Sequence, residues 1–540
     1  METITIADLL SESAAKYSAN IAFQSRVGKD YRQLTFLQAA NFAAALQVKL
    51  AELGVLKGER VALLSENRPE WAISYLAITS LGAIVVPLDA MLSKDDLLPL
   101  IDDSGSKVII LSKNYLDFIA GTRLENSKIS MEEILSLHPY TPTAHTSSQV
   151  SQNDTAAIVY TSGTTGLAKG VVLTHKNIMS NVAAVSSLFD LGPKDNFLSV
   201  LPLHHTFETT AGFLVPFYKG CKITFSESLK SHSLLANMQK TKVTVLCGVP
   251  LLFQLFYDGI KREFEEKNLG KLFSGLMFFS SFFKKIIGLN LGKFLFSMVH
   301  KKFGGKIRFF VSGGAAIDPS LIANFDLMGF PVLQGYGLSE SSPILTCNTL
   351  KNNRLGSVGQ PIPGVEIKIA GTEPVGEILA FGPNIMKGYY KRKELASRVL
   401  INGWLYTGDI GYLDEDSYLY ITGRSKNVIV TSSGVNVYPE EMEAVLDKIP
   451  AVKEACVFGE EKEGGETVFA VIVPDLEYFK KQGRDKFEEV QATIAEEIAA
   501  INRRVANFKR IARFVVRGEE LPKTRLKKVK RFELRKELGI

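Results

Sequence analysis

At 540 residues the chain is too long for one hydrophobic core, so two or more domains are expected. Its 46% hydrophobic and 22% charged composition is that of an ordinary folded protein. The net charge of +6 is small over this length and gives no ground for a nucleic-acid partner, although the basic residues are unevenly placed.

The four cysteines (Cys221, Cys247, Cys347, Cys456) lie far apart, with neither a close pair nor metal-ligand spacing. They read as small apolar fillers in a reduced compartment. The N-terminus lacks a basic region before an apolar run, and no window reaches the roughly 18 apolar residues of a spanning helix. A cytoplasmic protein is expected.

In chain order, residues 33–48 pattern as an amphipathic helix, 60–64 as a strand, 69–81 as a helix, and 83–87 and 107–111 as strands. Strands alternating with helices imply an α/β fold with a largely parallel sheet. The Ser- and Thr-rich stretch 141–155 reads as a surface loop. Next come β-formers (Ile158, Val159, Tyr160), then Thr161, Ser162, Gly163, Thr164, Thr165 and Gly166, then Lys169, and β-formers again. Glycines that let backbone N–H groups approach a ligand, hydroxyl donors and one mobile cation are what a polyphosphate needs. The Walker pattern ends Gly-Lys-Ser/Thr; here Ala168-Lys169-Gly170 stands in that place and a strand is expected to follow. By itself the stretch is also readable, though as the lesser alternative, as a flexible hairpin turn.

Alternation resumes from 177 to about 344, with strands expected at 222–225, 243–247 and 307–311. Residues 269–317 contain no Asp or Glu, yet carry seven lysines, one arginine and many phenylalanines. That pattern suits an interfacial membrane element, or a buried helical pair whose lysines reach solvent. Ser312-Gly313-Gly314-Ala315 directly after a strand forms an opening for a ligand at a strand's carboxyl end. In Gln334-Gly335-Tyr336-Gly337-Leu338-Ser339-Glu340 the glycines permit close approach to a flat base, and Glu340 is either a Mg2+ ligand or a surface carboxylate on a turn. Between 355 and 422 short β-like runs suggest a small sheet or barrel. Tyr406-Thr407-Gly408-Asp409 offers a carboxylate to a ribose diol, and Arg424 can reach the same sugar or a phosphate. A domain boundary is expected near 425, with helices at 440–448 and 487–505. The basic run 521–531, taken alone, reads as a solvated tail or a nucleic-acid patch.

In this order the stretches resemble the acyl-adenylate-forming (AMP-binding) superfamily of acyl-CoA synthetases, luciferases and peptide-synthetase adenylation domains. Thr161 to Gly170 is similar to its phosphate-loop signature Thr-Ser-Gly-Thr-Thr-Gly-x-x-Lys-Gly. Gln334 to Glu340 resembles its adenine and magnesium motif, with Ser339 where Thr is usual, and Tyr406 to Asp409 its ribose motif. Residues 423–427 and 434–441 resemble its hinge segment. Pro522-Lys523-Thr524 through Lys528 resembles its C-terminal lysine motif, but Lys527 replaces a glycine, so the catalytic lysine is Lys528 or, with a shift of one residue, Lys527. Leu201 to Glu208 is similar to the matching segment of bacterial long-chain fatty acyl-CoA synthetases, with His205 near the acyl entrance.

The resemblance implies a large N-terminal domain, 1–425, of doubly wound α/β subdomains plus a small β-barrel-like part, and a small mobile α+β C-terminal domain, 426–540, hinged near Lys426. It implies ATP, Mg2+ and coenzyme A as co-substrates and cofactors. Thr161, Ser162, Gly163, Thr164, Thr165, Gly166 and Lys169 would hold phosphates, and Glu340 with Thr161 the metal. Gly313, Gly314, Ala315, Gln334, Gly335, Tyr336, Gly337 and Ser339 would surround the base, while Asp409 and Arg424 fix the ribose. Lys528 would bridge the substrate carboxylate and the α-phosphate, and Gly434 would line the thiol's tunnel. The expected substrate is a medium- to long-chain fatty acid. The acceptor is coenzyme A or an acyl carrier protein, and for 272–303 peripheral contact with the inner face of the membrane stands as an open alternative to the buried helical pair. A non-enzymatic membrane scaffold would leave Lys169, Glu340 and Asp409 without a use, and no nucleic-acid partner is expected.

Overall fold

The computed structural model describes residues 4–137, 150–161, 168–431, 436–462, 465–484, 486–523 and 529–539. They form two compact units: one of residues 1–367, 380–405 and 415–419, the other of 368–379, 406–414 and 420–540.

The first unit is built on two sheets. The seven-stranded sheet runs in the order Gly388–Tyr389, Lys169–Thr174, Thr155–Thr161, Ile84–Pro87, Arg60–Leu64, Val108–Leu111, Lys128–Ser130. Its middle is parallel, and the Lys169–Thr174 strand returns antiparallel at one side. Parallel strands are covered on both faces, which is why runs such as Val108–Leu111 are apolar throughout and fully buried. The nine-stranded sheet runs Gln360–Pro361, Ile344–Cys347, Val332–Gly337, Phe309–Ser312, Val245–Gly248, Asn196–Ser199, Lys222–Phe225, Ile21–Val27, Asp30–Thr35.

Helix Pro69–Ser80 is buried on every side. It packs against Ile84–Pro87 of one sheet and Ile21–Val27 of the other, which explains a sequence apolar all round. Its one acid, Glu70, is held by the Arg68 guanidinium at 3.0 Å.

Several expected bounds shift for local reasons. The helix expected at 33–48 is Phe36–Glu52, because Thr35 and Gln38 form a reciprocal capping box, Gln38 N–H donating to Thr35 Oγ1 at 3.1 Å and Thr35 N–H to Gln38 Oε1 at 2.9 Å. Residues 30–35 before it are a strand. The loop expected at 141–155 gives way to a strand from Thr155, and its 141–149 portion lies outside the described residues. The expected strands 243–247 and 307–311 are Val245–Gly248 and Phe309–Ser312.

The acid-free stretch forms helices Gly270–Ile287, Gly292–Leu295 and Ser297–Lys302. Phe273, Phe296 and Phe303 are core residues, so this face is a packed helical layer, while other phenylalanines remain outside it. No helix among the described residues is long and apolar enough to cross a membrane.

Strands Glu366–Ile369, Gly376–Phe381, Leu400–Ile401, Trp404–Leu413 and Leu419–Arg424 form a five-stranded sheet. In the second unit, Val452–Lys462, Gly465–Pro474 and Ile511–Val516 make a three-stranded sheet. Along the first of these strands Ala455 and Val457 join a core with helices Pro439–Leu446 and Phe487–Asn502, while Cys456 and Phe458 face a second cluster with Leu521 and Leu534. At the end of the basic C-terminal run Arg531 is tied into the second unit, donating to Glu443 and to the Val457 carbonyl, both at 2.6 Å, while residues 524–528 of the run lie outside the described residues. All four cysteines are unpaired, three of them buried.

Candidate active site

The ends of the phosphate-loop segment are fixed by strand pairing. Thr161 lies opposite Lys169 and Tyr160 opposite Gly170 in the antiparallel ladder. Ser162, Gly163, Thr164, Thr165 and Gly166 between them lie outside the described residues. Gly170 explains why the Walker ending is absent: a Cβ there would stand 2.8 Å from Ile158 Cγ2 and 3.3 Å from Tyr390 Cβ. Tyr390 N–H also donates to the Gly170 carbonyl at 2.7 Å, zipping residues 387–390 onto this strand.

That zipper delivers Tyr389, a residue the sequence reading did not single out. Its ring lies under Lys169 Nζ at 5.3 Å, and its hydroxyl donates to Glu340 Oε1 at 2.8 Å. Burial and the adjacent Glu340 carboxylate push the phenol well up, so it keeps its proton and acts as donor. Met386 N–H holds the Glu340 backbone carbonyl at 2.8 Å. Ammonium and carboxylate, 171 positions apart in the chain (340 − 169), therefore meet across one tyrosine.

Glu340 sits in the turn Ser339–Ser341 after strand Val332–Gly337. Gly337 has no alternative: a Cβ would lie 1.8 Å from the Pro343 carbonyl oxygen where the chain returns. In the parallel part of the sheet Ser312 pairs with Gln334 and with Gly248, so the Gly313-Gly314 turn opens beside Gln334-Gly335-Tyr336 at the carboxyl ends of adjacent strands. Gly314 adopts φ +81°, and both Gly314 and Ala315 are exposed.

The His205 segment lies between these features. Thr206 Oγ1 is 3.5 Å from Ser339 Oγ, and a Cβ on Gly313 would meet the Phe207 ring at 3.1 Å. His205 is half-buried, its ring centroid 4.1 Å from that of the buried His204 and tilted 49° to it, and burial holds the His204 imidazole neutral. Glu208 follows at the head of the π-helical stretch Glu208–Leu214, wholly buried, with neither carboxylate oxygen in a hydrogen bond of ordinary geometry to the described residues although the Ser199 hydroxyl is nearby. Burial pushes its carboxyl up to about 8, opposed by Ser199.

In the second unit Arg424 Nε lies 2.8 Å from Asp409 Oδ1, with the carboxylate almost fully buried and the guanidinium half-exposed. Thr407 Oγ1 accepts from Asp409 N–H at 3.1 Å and donates to the Ile378 carbonyl at 2.8 Å, setting the strand's geometry. Lys426 is exposed in the short 3-10 turn Ser425–Asn427 that follows. Gly434, Lys527 and Lys528 lie outside the described residues. The chain on either side of 524–528 is pinned: Lys523 pairs with Val529, Lys530 N–H donates to the Pro522 carbonyl at 2.7 Å, and Leu521 N–H reaches Glu454 Oε2 at 3.1 Å.

The first unit thus brings Thr161, Lys169, Glu340, Ser339, Gly313, Gln334 and His205 into one neighbourhood, and the second brings Asp409, Arg424 and Lys426 together. The AMP-binding enzyme family matches residues 10–390, and the AMP-binding enzyme C-terminal domain matches 441–528. Fatty acyl-CoA synthetase A of Dictyostelium discoideum is 30% identical over 86% of this chain and 75% of its own length. Long-chain-fatty-acid–CoA ligase of Bacillus subtilis is 28% identical over 99% of this chain and 94% of its own. The structure of o-succinylbenzoate coenzyme A synthetase from Bacillus subtilis in complex with ATP and magnesium ion superposes with a TM-score of 0.76 at 26% identity, covering 98% of this chain and 99% of that one. The chain belongs to the AMP-binding enzyme family, and it is an ATP-dependent, acyl-adenylate-forming enzyme of the ligase class.

Proposed function

We propose that this ligase joins a medium- to long-chain fatty acid to AMP with release of pyrophosphate, then transfers the acyl group to coenzyme A. The observation that carries the adenylation is the Lys169–Tyr389–Glu340 arrangement at the mouth of the Thr161/Lys169 pair. The fatty acid is supported by relatives named for that substrate class over most of the chain, beside others of similar identity named for 2-succinylbenzoate.

A carboxylate is a weak nucleophile facing a polyanion, so charge must be neutralised and the attack aligned. In this reading Lys169 neutralises the outgoing phosphates, and Tyr389 fixes both that cation and Glu340. Mg2+ takes one or two protein carboxylates and draws its other ligands from phosphates and water, so a half-buried Glu340 with the Thr161 hydroxyl is a fitting donor set. When bound, the ion supplies further neutralisation of phosphate charge. Asp409, with Arg424 against it, would receive the ribose hydroxyls, and the Gly313 and Gln334–Gly337 backbone would flank the base. Lys528 would contact the reacting carboxylate and the α-phosphate in the first half-reaction only, with Lys426 at the hinge and Gly434 by the thiol. His205 would stand at the acyl entrance.

The test is pyrophosphate release over a panel of acids, repeated with coenzyme A and with acyl carrier protein as acceptor. Long-chain acids should be preferred and coenzyme A should be the thiol consumed. Preference for benzoate or acetate would overturn the substrate, and turnover with carrier protein alone would overturn the acceptor.

A further inference from the structure

Helix Gly270–Ile287 has two unlike faces. Phe273, Leu276 and Met277 pack on the core, and Ser280 Oγ donates to the Leu327 carbonyl at 2.6 Å. The opposite face carries Phe278 at 66%, Phe282 at 47% and Ile286 at 63% exposure, spaced four residues apart, with Phe279 beside them at 54%. After Gly288 the chain continues the same texture with Phe294 at 80% and Met298 at 62% exposed. Contiguous large apolar side chains left in water mark an interaction surface.

Its charge identifies the partner. No Asp or Glu occurs from 269 to 317. Lys284 and Lys302 reach outside that stretch to Asp326 and Glu263. Lys271, Lys285, Lys293 and Lys301 are exposed and carry no ion pair among the described residues. A second copy docked on the same face by two-fold symmetry would set lysines against lysines. An anionic surface that also accepts apolar side chains matches both properties at once.

We propose that this helix and the segment after it dock on a bilayer surface containing anionic lipid, with Phe278, Phe282, Ile286 and Phe294 at the acyl boundary and the lysines at the headgroups. Binding is peripheral, since no described helix is long and apolar enough to span. Docking needs neither ATP nor acid; only its use in supplying a membrane-dissolved substrate rests on the proposed fatty-acid reading.

The full chain is sedimented with vesicles of phosphatidylcholine, alone and mixed with phosphatidylglycerol, at low and high salt. It should bind the mixed vesicles and lose at least about tenfold in partition without phosphatidylglycerol or at high salt. The triple variant Phe278→Ser/Phe282→Ser/Ile286→Ser and the pair Lys285→Glu/Lys293→Glu should each lose binding, the latter by roughly fivefold or more per lysine. Both variants should release pyrophosphate from a soluble medium-chain acid within about twofold of wild type, which shows they are folded. Equal partition of wild type and variants overturns the proposal. So does failure to bind mixed vesicles together with a concentration-dependent dimer that the serine variant dissolves, since the face then belongs to a second copy. Because vesicle binding is read without substrate, its failure leaves the pyrophosphate assay, and the ligase reading, untouched.

Discussion

Tyr389 touches both charges that the proposed adenylation depends on, the Lys169 ammonium through its ring and the Glu340 carboxylate through its hydroxyl. Tyr389→Phe separates these roles by keeping the ring and deleting the donor. A hydrogen bond to a charged group contributes about 1.5–3 kcal/mol, so pyrophosphate release should fall roughly tenfold to a hundredfold while thermal stability changes little. Glu208 makes a different prediction. Its folded value of about 8 lies above the ordinary 4.5, so the fold favours the protonated form. That contribution is complete below pH 4.5 and is lost progressively as the pH rises to about 8. Glu208→Gln removes the titration. The variant should therefore gain stability relative to wild type across that range, by on the order of a few kcal/mol in urea unfolding. Parallel pH profiles for the two proteins would show an ordinary carboxylate there. At this scale the sequence disclosed the chemistry-bearing residues with recognisable neighbours, such as Lys169 and Glu340. It did not disclose Tyr389 or the isolation of Glu208, because both follow from what the fold places around them.

Elements hold these residues through close backbone approaches that only glycine tolerates. Gly337 is the sharpest case, since a Cβ there would stand 1.8 Å from the Pro343 carbonyl oxygen. Gly337→Ala must push strand Val332–Gly337 away from the returning chain and carry Ser339 and Glu340 with it. A loss of about 1–3 kcal/mol in stability and a larger loss of pyrophosphate release are expected, read by denaturation and by turnover. Apolar runs such as Arg60–Leu64 and Lys222–Phe225 were legible because a buried parallel strand needs little beyond β-forming residues. The π-helical stretch Glu208–Leu214 and the antiparallel return Ile344–Cys347 were not, since neither has a periodic signature and both are set by packing around the site. The start of helix Phe36–Glu52 was legible in principle, in the Thr35–Gln38 spacing.

Across the whole molecule, the α/β architecture and the family were carried by motifs that keep their order along the chain. Unit membership was not: residues 368–379 and 406–414 group with the C-terminal part, a consequence of tertiary contacts that chain order does not reveal. The two half-reactions divide the proposed roles: adenylation uses the phosphate-holding residues together with Lys528, and thioester formation does without Lys528. Acid-dependent ATP–pyrophosphate exchange measures that division directly. With a long-chain acid, wild type should exchange, and Lys528→Ala should lose exchange while still forming thioester from supplied acyl-AMP and coenzyme A. Exchange near the wild-type level in Lys528→Ala, or none in wild type with any fatty acid, would contradict the account.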